Sequence, residues 1–266
     1  MISGLGKLGT PWLPWILSGE HRHNTCISGG AKDTISVGRL LRSYSPDLAG
    51  LNYYKTRVMS SGSGFNFARS GSTVDALTDQ VTALVNKLAR PEYAHLAQKW
   101  KMVVIWIGGN DLFVRDSATI TETFPAALVR ALRRLKALVP NCFVSLLTLP
   151  DLSNARPGAL PAEIESTRRR GRLVNTLIRS TVADYHWDCD TFRVVVQPIP
   201  EEDIGAAEYK GFKSMVDGLH PNVLAHQLFA KAVWTNLFRA EGEKLTTYED
   251  VIMSEWVRPG PDTYFL

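Results

Sequence analysis

From Asp75 onward, the hydrophobic positions of the chain follow two alternating patterns. Within 75–90, apolar side chains recur at every third or fourth position, which predicts an amphipathic helix. The stretch 101–109 is an almost continuous apolar run that ends in two glycines, as expected of a buried parallel strand entering a loop. The chain therefore begins a helix and strand alternation at this point.

The same alternation continues towards the C-terminus. Strands alternating with helices of this length favour an α/β domain built on a mostly parallel sheet. A short helix is also predicted within 37–50, ending before Pro46. The further predicted helices are 124–140, about 161–185 and 222–240, and the further predicted strands are 142–150 and 192–198.

The two ends of the chain lack these patterns. Residues 1–33 show no clear period, and their one candidate strand, 11–17, contains proline, which a central strand does not tolerate. We therefore predict an atypical N-terminal segment over 1–26, one α/β domain over 27–245, and an irregular tail over 246–266.

Composition limits the possible functions. A chain of 266 residues with 45% hydrophobic and 21% charged residues can bury a sizeable core. The net charge of +4 is too mild to indicate a nucleic-acid partner, and we interpret the basic run Arg168–Arg172 as a solvated helix face. Three cysteines without a CxxC motif or a Cys/His cluster indicate neither a disulfide framework nor a metal site.

Neither a membrane span nor a secretion signal stands out. No apolar stretch approaches the roughly 20 residues of a transmembrane helix. The segment 8–19 has the hydrophobicity of a weak signal peptide, but two prolines interrupt it and no A-x-A-like cleavage site follows. The sequence therefore leaves the compartment and the oligomeric state undetermined.

Two loops offer groups that could stabilise a negative charge. Gly71 precedes the 75–90 helix, so its backbone N–H could face an anion without hindrance from a side chain. Asn110 follows a predicted strand and two glycines, and its amide is a donor of the kind found in oxyanion holes. Each has a plain alternative, because Gly71 could simply start a helix, Asn110 could form a turn and Asp111 could cap the next helix.

A third loop, "DGLHPN", offers a general base. Asp217 lies three positions before His220, close enough to accept the Nδ1–H of the imidazole and so leave Nε2 as the base. The alternative is a surface histidine beside a helix-capping loop. In an open parallel sheet, such loops meet at the carboxyl ends of the strands, where ligands bind.

Taken together, these loops resemble those of the GDSL lipase/esterase family, also called SGNH hydrolases, and within it the phospholipase B-like branch. The resemblance runs from about Ser28 to about Phe238. The stretches that carry it are "RLLRSYSPDLAG", "GFNFARSGSTVDAL", "QKWKMVVIWIGGNDL", "ALVPNCFVSLLTLP", "DTFRVVVQP" and "DGLHPN".

The resemblance implies a flavodoxin-like three-layer α/β/α fold and the hydrolysis of carboxylic esters, typically of lipids or other acylated substrates. Gly71 and Asn110 match the family's oxyanion-hole positions. Asp217 and His220 match its base pair, with His220 as the general base and Asp217 orienting it. No metal or organic cofactor is implied.

The family's nucleophile is the element that this sequence lacks. It normally lies in a G-D-S motif after the first strand, and no GDS occurs here. Ser18 follows a short apolar run, but proline interrupts that run and no Gly-Asp precedes the serine. Of the other serines, Ser70 and Ser72 flank Gly71, and one of them could act as a substitute nucleophile if its hydroxyl lay within hydrogen-bond reach of His220. The serines that surround the glycine-rich loop are Ser60, Ser61, Ser63, Ser70 and Ser72.

We therefore expect a lipase or phospholipase B-like ester hydrolase whose first strand is missing or replaced, and which is weakly active or inactive as this chain. The alternative is a non-catalytic pseudohydrolase that binds lipid or a protein partner. A flavodoxin-like phosphate binder is a third class, but the sequence contains neither GxGxxG nor GxxxxGK[ST].

Overall fold

The computed structural model describes residues 20–56, 64–155, 158–204, 211–214 and 220–266. The chain divides into two compact units. The first, here called the sheet unit, comprises Gly71–Leu149 and Arg169–Gln197. The second unit comprises the described residues of 20–70, 150–168 and 198–266.

The strands of the sheet unit are parallel. β1 (Lys101–Ile105), β2 (Cys142–Leu147) and β3 (Phe192–Gln197) form a three-stranded sheet in the order β1-β2-β3. The register pairs Ile105 with Leu146 and Leu146 with Val196. This confirms the predicted α/β class with a parallel sheet and the positions of its three strands.

The central and outer strands differ in burial. Every residue of β2 is buried, whereas β1 is half-buried along most of its length and fully buried only at Ile105. The prediction of a buried strand at 101–109 is therefore wrong in part. A central strand has a neighbour on each side, whereas β1 lies at one end of the described sheet. Residues 11–17, the candidate first strand, lie outside the described residues.

Helices occupy most of the remaining described chain. They separate the strands as the hydrophobic period predicts. In chain order they are α1 (Val37–Tyr44), α2 (Leu77–Leu88), α3 (Asp111–Val114), α4 (Ser117–Leu138), α5 (Pro161–Ala183), α6 (Val223–Asn236) and α7 (Tyr248–Met253).

Within the sheet unit, α4 packs against α2 and buries a stripe of apolar side chains that includes Phe124 and Leu132. The helix begins at Ser117 rather than at the predicted residue 124. The carboxylate of Asp116 caps it by accepting the N–H of Thr119 at 2.8 Å. Pro125, which is typical of a first turn, lies inside the helix instead.

In the second unit, α1 packs against α6, and the rings of Tyr44 and Trp234 stack with their centroids 6.0 Å apart. The prediction of an irregular 246–266 is wrong in part, because Tyr248–Met253 forms α7. Beyond this helix the tail remains attached: the indole of the buried Trp234 donates to the carbonyl of Val257 at 2.9 Å. Among the described residues, no helix is long and apolar enough to cross a bilayer.

Candidate active site

Gly71 adopts a backbone conformation that favours glycine. Its φ of +78° lies in the left-handed region, and a Cβ added there would meet no other atom within 4 Å. The residue is therefore selected by backbone conformation and not by lack of space. The helical backbone begins later, in a 3-10 turn at Val74–Ala76 with Thr73 as its N-cap. Gly71 thus lies in the approach to the helix rather than in its first turn.

The side chain of Asn110 is hydrogen-bonded to the loop that precedes this helix. Its side-chain Nδ2 donates to the carbonyl oxygen of Ser72 at 2.9 Å, and it makes no side-chain cap although it occupies the N-cap position of α3. An amide nitrogen carries two N–H bonds, so one orients the group and the other can serve a ligand. The structure therefore brings together the loops of Gly71 and Asn110, the predicted oxyanion donors.

The turn that carries Asn110 depends on Gly108. Its φ is +111°, and an added Cβ would lie 2.9 Å from Val174 Cγ1 and 3.2 Å from Phe124 Cε2. Both the backbone conformation and the neighbouring side chains therefore exclude a larger residue. Gly108 is one of the two glycines that end the apolar run 101–109.

Asp111 has a role that the sequence did not reveal. It does not cap its own helix; its carboxylate accepts the N–H of Val74, with Oδ2 at 3.1 Å and Oδ1 at 3.4 Å. The side chain is 1% exposed. Burial raises the pKa of Asp111 to about 6, against the lowering effects of Arg115 and of the Val74 hydrogen bond. Asp111 thus connects the Asn110 loop to the start of the helix that follows Gly71.

Two arginines also bind the residues around Asp111. Arg115 lies 3.4 Å from Asp111 Oδ1, contacts the carboxylate of Asp75 and donates to Thr123 Oγ1 at 2.7 Å. Arg170, from the basic run, donates from Nε to the carbonyl of Leu112 at 2.7 Å. The interpretation of that run as a solvated face is therefore wrong for Arg170, whose side chain fixes α3.

His220 belongs to the second unit. Its carbonyl accepts the N–H of Ser214 at 2.8 Å. Pro221 follows, and Asn222 then caps α6 by accepting the N–H of Ala225 at 3.1 Å. His220, Pro221 and Asn222 thus come directly before a helix, as the sequence predicts. Asp217 lies outside the described residues, so its pairing with His220 stays a prediction.

The structure also describes one of the candidate serines in detail. Ser70 donates its hydroxyl to Glu20 Oε1 at 2.7 Å. Glu20 is fully buried and pairs with the buried Arg22, whose Nε lies 2.7 Å from Oε2. Arg22 also donates to the carbonyl of Ala68 at 2.6 Å. Ser18, Ser60, Ser61 and Ser63 lie outside the described residues, and Ser72 contributes the carbonyl that receives Asn110.

Sequence signals for these partners are weak. Asp111 follows Asn110 directly, so the sequence shows that it lies next to the predicted oxyanion residue. The sequence does not show that its carboxylate accepts the backbone N–H of Val74. Glu20 and Arg22 lie in a part of the chain without a clear period.

Among the described residues, no group of three or more His, Cys, Asp or Glu side chains could hold a metal ion.

Comparisons with known proteins agree with the resemblance to the family. The chain is 24% identical to mouse "Phospholipase B1, membrane-associated", over all of this chain and 20% of the relative. The human protein of the same name is 25% identical over 89% of this chain and 18% of its own length. The chain thus spans about a fifth of the length of these curated relatives.

A solved structure, phospholipase A1 from Streptomyces albidoflavus NA297, is 20% identical and covers 61% of this chain and 75% of its own, with a TM-score of 0.40. The family model described as "GDSL-like Lipase/Acylhydrolase" matches residues 24–233, which include Gly71, Asn110, Asp217 and His220. Because that match covers most of the chain, this protein belongs to the GDSL-like lipase/acylhydrolase family.

Proposed function

We propose that this chain carries the oxyanion and base residues of a phospholipase-like ester hydrolase, without an identified nucleophile. The observation that carries the proposal is the hydrogen bond from Asn110 to Ser72, which holds the Asn110 amide in the loop of Gly71. The Gly71 N–H and the Asn110 amide are two donors on loops that are hydrogen-bonded to each other. Such donors can stabilise the negative oxygen of a tetrahedral intermediate. The family match over residues 24–233 supports the same chemistry.

In the proposed reaction, a serine hydroxyl attacks the ester carbonyl and His220 accepts its proton. Gly71 N–H and the Asn110 amide stabilise the negative charge on the carbonyl oxygen, and Asp217 orients the imidazole. His220 then protonates the departing alcohol. Water, activated by the same histidine, releases the carboxylic acid and restores the serine. The substrate class is a lipid or another acyl ester.

The first step of this scheme has no identified nucleophile. The sequence holds no GDS, and the hydroxyl of Ser70 is engaged by the carboxylate of Glu20. That carboxylate also forms a buried ion pair with Arg22. We therefore propose that the chain of 266 residues hydrolyses esters weakly or not at all. The same observation favours the second candidate function, a pseudohydrolase that binds lipid or a protein partner without turnover.

A serine-directed probe separates these functions. The purified chain is incubated with a fluorophosphonate, which forms a covalent adduct with activated serines, and the adduct is located by mass spectrometry. Hydrolysis of a short-chain p-nitrophenyl ester is followed in parallel. We expect no adduct and little hydrolysis, because the sequence lacks the G-D-S motif in which the family carries its nucleophile.

Variants decide the other outcomes. Robust hydrolysis that is lost in His220→Ala, with an adduct at Ser18, Ser70 or Ser72, would show that the chain is a complete enzyme. Serine-to-alanine variants at the labelled position identify the nucleophile, and the remaining two serve as matched controls. Hydrolysis that persists in His220→Ala would refute the assignment of His220 as the base.

A further inference from the structure

The outer edge of β1 presents backbone groups that face away from the sheet. One edge of this strand pairs with β2, and among the described residues no strand lies along the other edge. Lys101 donates its N–H to the carbonyl of Asn141 at 2.7 Å, so the backbone groups of Lys101 and of every second residue after it face β2. Successive residues of a strand direct these groups to opposite sides. The N–H and C=O groups of Met102 and Val104 therefore face outwards.

One face of the same strand is apolar and incompletely buried. Met102 and Val104 share this face, because side chains alternate between the two faces of a strand, and both are only half-buried. Trp100 and Trp106 flank the strand and continue the same alternation in the sequence. Trp106 is half-buried and Trp100 is 59% exposed. An apolar strand at an open sheet edge is the kind of surface that pairs with another chain.

The charged side chain of β1 is held away from its outer edge. Lys101 is the charged residue of the strand, and lysines on edge strands commonly prevent pairing with other chains. Here the Lys101 ammonium donates to the carbonyl of Pro140 at 3.0 Å and to the carbonyl of Ala97. These residues precede β2 and β1, so the ammonium is bound at the N-terminal ends of the two strands. The outer edge therefore lacks the charge that would repel another strand.

We propose that β1 pairs with the β1 strand of a second copy of this chain, antiparallel and about a two-fold axis at Val103. In this register Met102 lies opposite Val104 of the second copy. These are the residues whose backbone groups face outwards, so each pair exchanges hydrogen bonds in both directions. The unpaired groups of one copy thus satisfy those of the other, and the two sheets become one continuous sheet.

The side chains agree with the same register. Lys101 lies opposite Ile105 of the second copy, so no like charges meet. Trp100 lies opposite Trp106 of the second copy, which continues the apolar face across the axis. The edge is therefore complementary to itself in hydrogen bonding, charge and hydrophobicity, and this favours a second copy over an unrelated strand. Pairing of this kind is independent of ester hydrolysis and of the missing nucleophile.

Disulfide cross-linking tests the position of the axis. The full chain carries Cys189→Ser, because Cys189 is exposed whereas Cys26 and Cys142 are buried. In Val103→Cys, the two cysteines form a non-hydrogen-bonded pair with Cα atoms about 4.5 Å apart, within the range of a disulfide. In the control Lys101→Cys, the two cysteines lie about 14 Å apart along the strands. We expect mild oxidation to yield a covalent dimer of Val103→Cys and little dimer of Lys101→Cys.

Analytical ultracentrifugation measures the strength of the pairing without a cross-link. We expect the parent chain to form a dimer that dissociates on dilution, and Trp100→Lys and Val104→Pro each to raise its Kd by about tenfold or more. Proline at 104 removes an outward N–H and no bond to β2. Trp100 is exposed and lies outside the ladder, so Trp100→Lys keeps the test valid if Val104→Pro fails to fold. The control Trp256→Lys, at a tryptophan 39% exposed elsewhere, should dimerise like the parent chain.

Several results would overturn the proposal. They are a parent chain that stays monomeric at all concentrations, an equal loss of affinity in Trp100→Lys and Trp256→Lys, equal cross-linking at positions 101 and 103, and assemblies that grow beyond a dimer. A monomeric parent chain that binds a synthetic apolar strand peptide would assign the edge to a different polypeptide and would also overturn it.

Discussion

Two buried carboxylates fix the chain on either side of Gly71, and they do so differently. In the second unit, Glu20 is neutralised by the equally buried Arg22, with which it makes contacts of 2.5 and 2.7 Å. In the sheet unit, the nearest cation to Asp111 is Arg115 at 3.4 Å, and Arg115 also contacts Asp75. The first carboxylate is held by a full ion pair, the second mainly by a backbone N–H.

The environment of Asp111 sets its response to pH. Burial disfavours the charged form of Asp111, and the cation that it shares with Asp75 offsets this only in part, so the pKa of Asp111 rises to about 6. Removing one partner of the Glu20–Arg22 pair leaves the other charge buried and uncompensated. Segment 66–70 is thus held by an ion pair, and segment 72–75 by a group that titrates near neutrality.

The largest effect is expected at Arg22. Arg22→Met leaves Glu20 buried without a cation and removes the donors to the 66–70 segment, so the free energy of unfolding should fall by roughly 3 to 5 kcal/mol. Urea unfolding measures the loss. Arg69→Met, at an exposed arginine in the same segment, is the control and should cost little. Recovery of much of the loss in Glu20→Leu/Arg22→Met would confirm the buried charge as the cause; no recovery would contradict it.

A second comparison tests the glycines of the sheet unit. Gly108→Ala should lower the free energy of unfolding by roughly 2 to 4 kcal/mol, because it combines a left-handed backbone with a clash against Val174. Gly71→Ala has the backbone cost alone and should lose about 1 kcal/mol. Thermal or urea unfolding of the two variants gives the difference. Equal losses would show that the space around Gly108 is not limiting.

Asp111 provides the pH test. Its folded pKa of about 6 lies above the usual value, so its contribution to stability is fully present below pH ~4 and is lost as pH rises through 6. The decline should be on the order of 1 to 2 kcal/mol once screening is allowed for. Asp111→Asn, which keeps an acceptor for Val74, should abolish this decline in urea unfolding between about pH 4 and pH 7.

The control for Asp111 is the exposed Asp116. Hydrogen bonds from Thr119 lower the pKa of Asp116, so the stability that it contributes is lost only as pH falls below the ordinary range of a carboxyl. Asp116→Asn should therefore leave the decline between pH ~4 and pH ~7 in place. A decline that survives in Asp111→Asn and disappears in Asp116→Asn would reverse the assignment.

The smallest effect is expected at Ser70. Ser70→Ala removes one hydrogen bond to Glu20, whose charge Arg22 still compensates, and should cost about 1 kcal/mol. Ser72→Ala, which keeps the carbonyl that Asn110 uses, is the matched control and should be near neutral. The two unfolding free energies are compared in urea. If the losses are equal, the bond to Glu20 contributes nothing measurable.

Sequence patterns predicted the elements whose cause is local. The apolar runs gave the three parallel strands, and the loops of Gly71, Asn110 and His220 follow or precede the elements that were expected. Boundaries were less accurate where a side-chain cap competes with propensity. Asp116 caps α4, which begins at Ser117 and so seven residues before the expected 124. Thr247 caps α7 within a tail that was expected to be irregular.

What the sequence determined by itself is the order of helices and strands and the residue types in the three loops, because hydrophobic period and glycine conformation depend on near neighbours. Only the tertiary structure decided what each buried carboxylate holds. The partners are far apart along the chain: Asp111 lies 37 residues from Val74, and Arg22 lies 46 from Ala68. Such pairs form when burial removes water and leaves the carboxylate or guanidinium to take the nearest polar groups that packing brings to it.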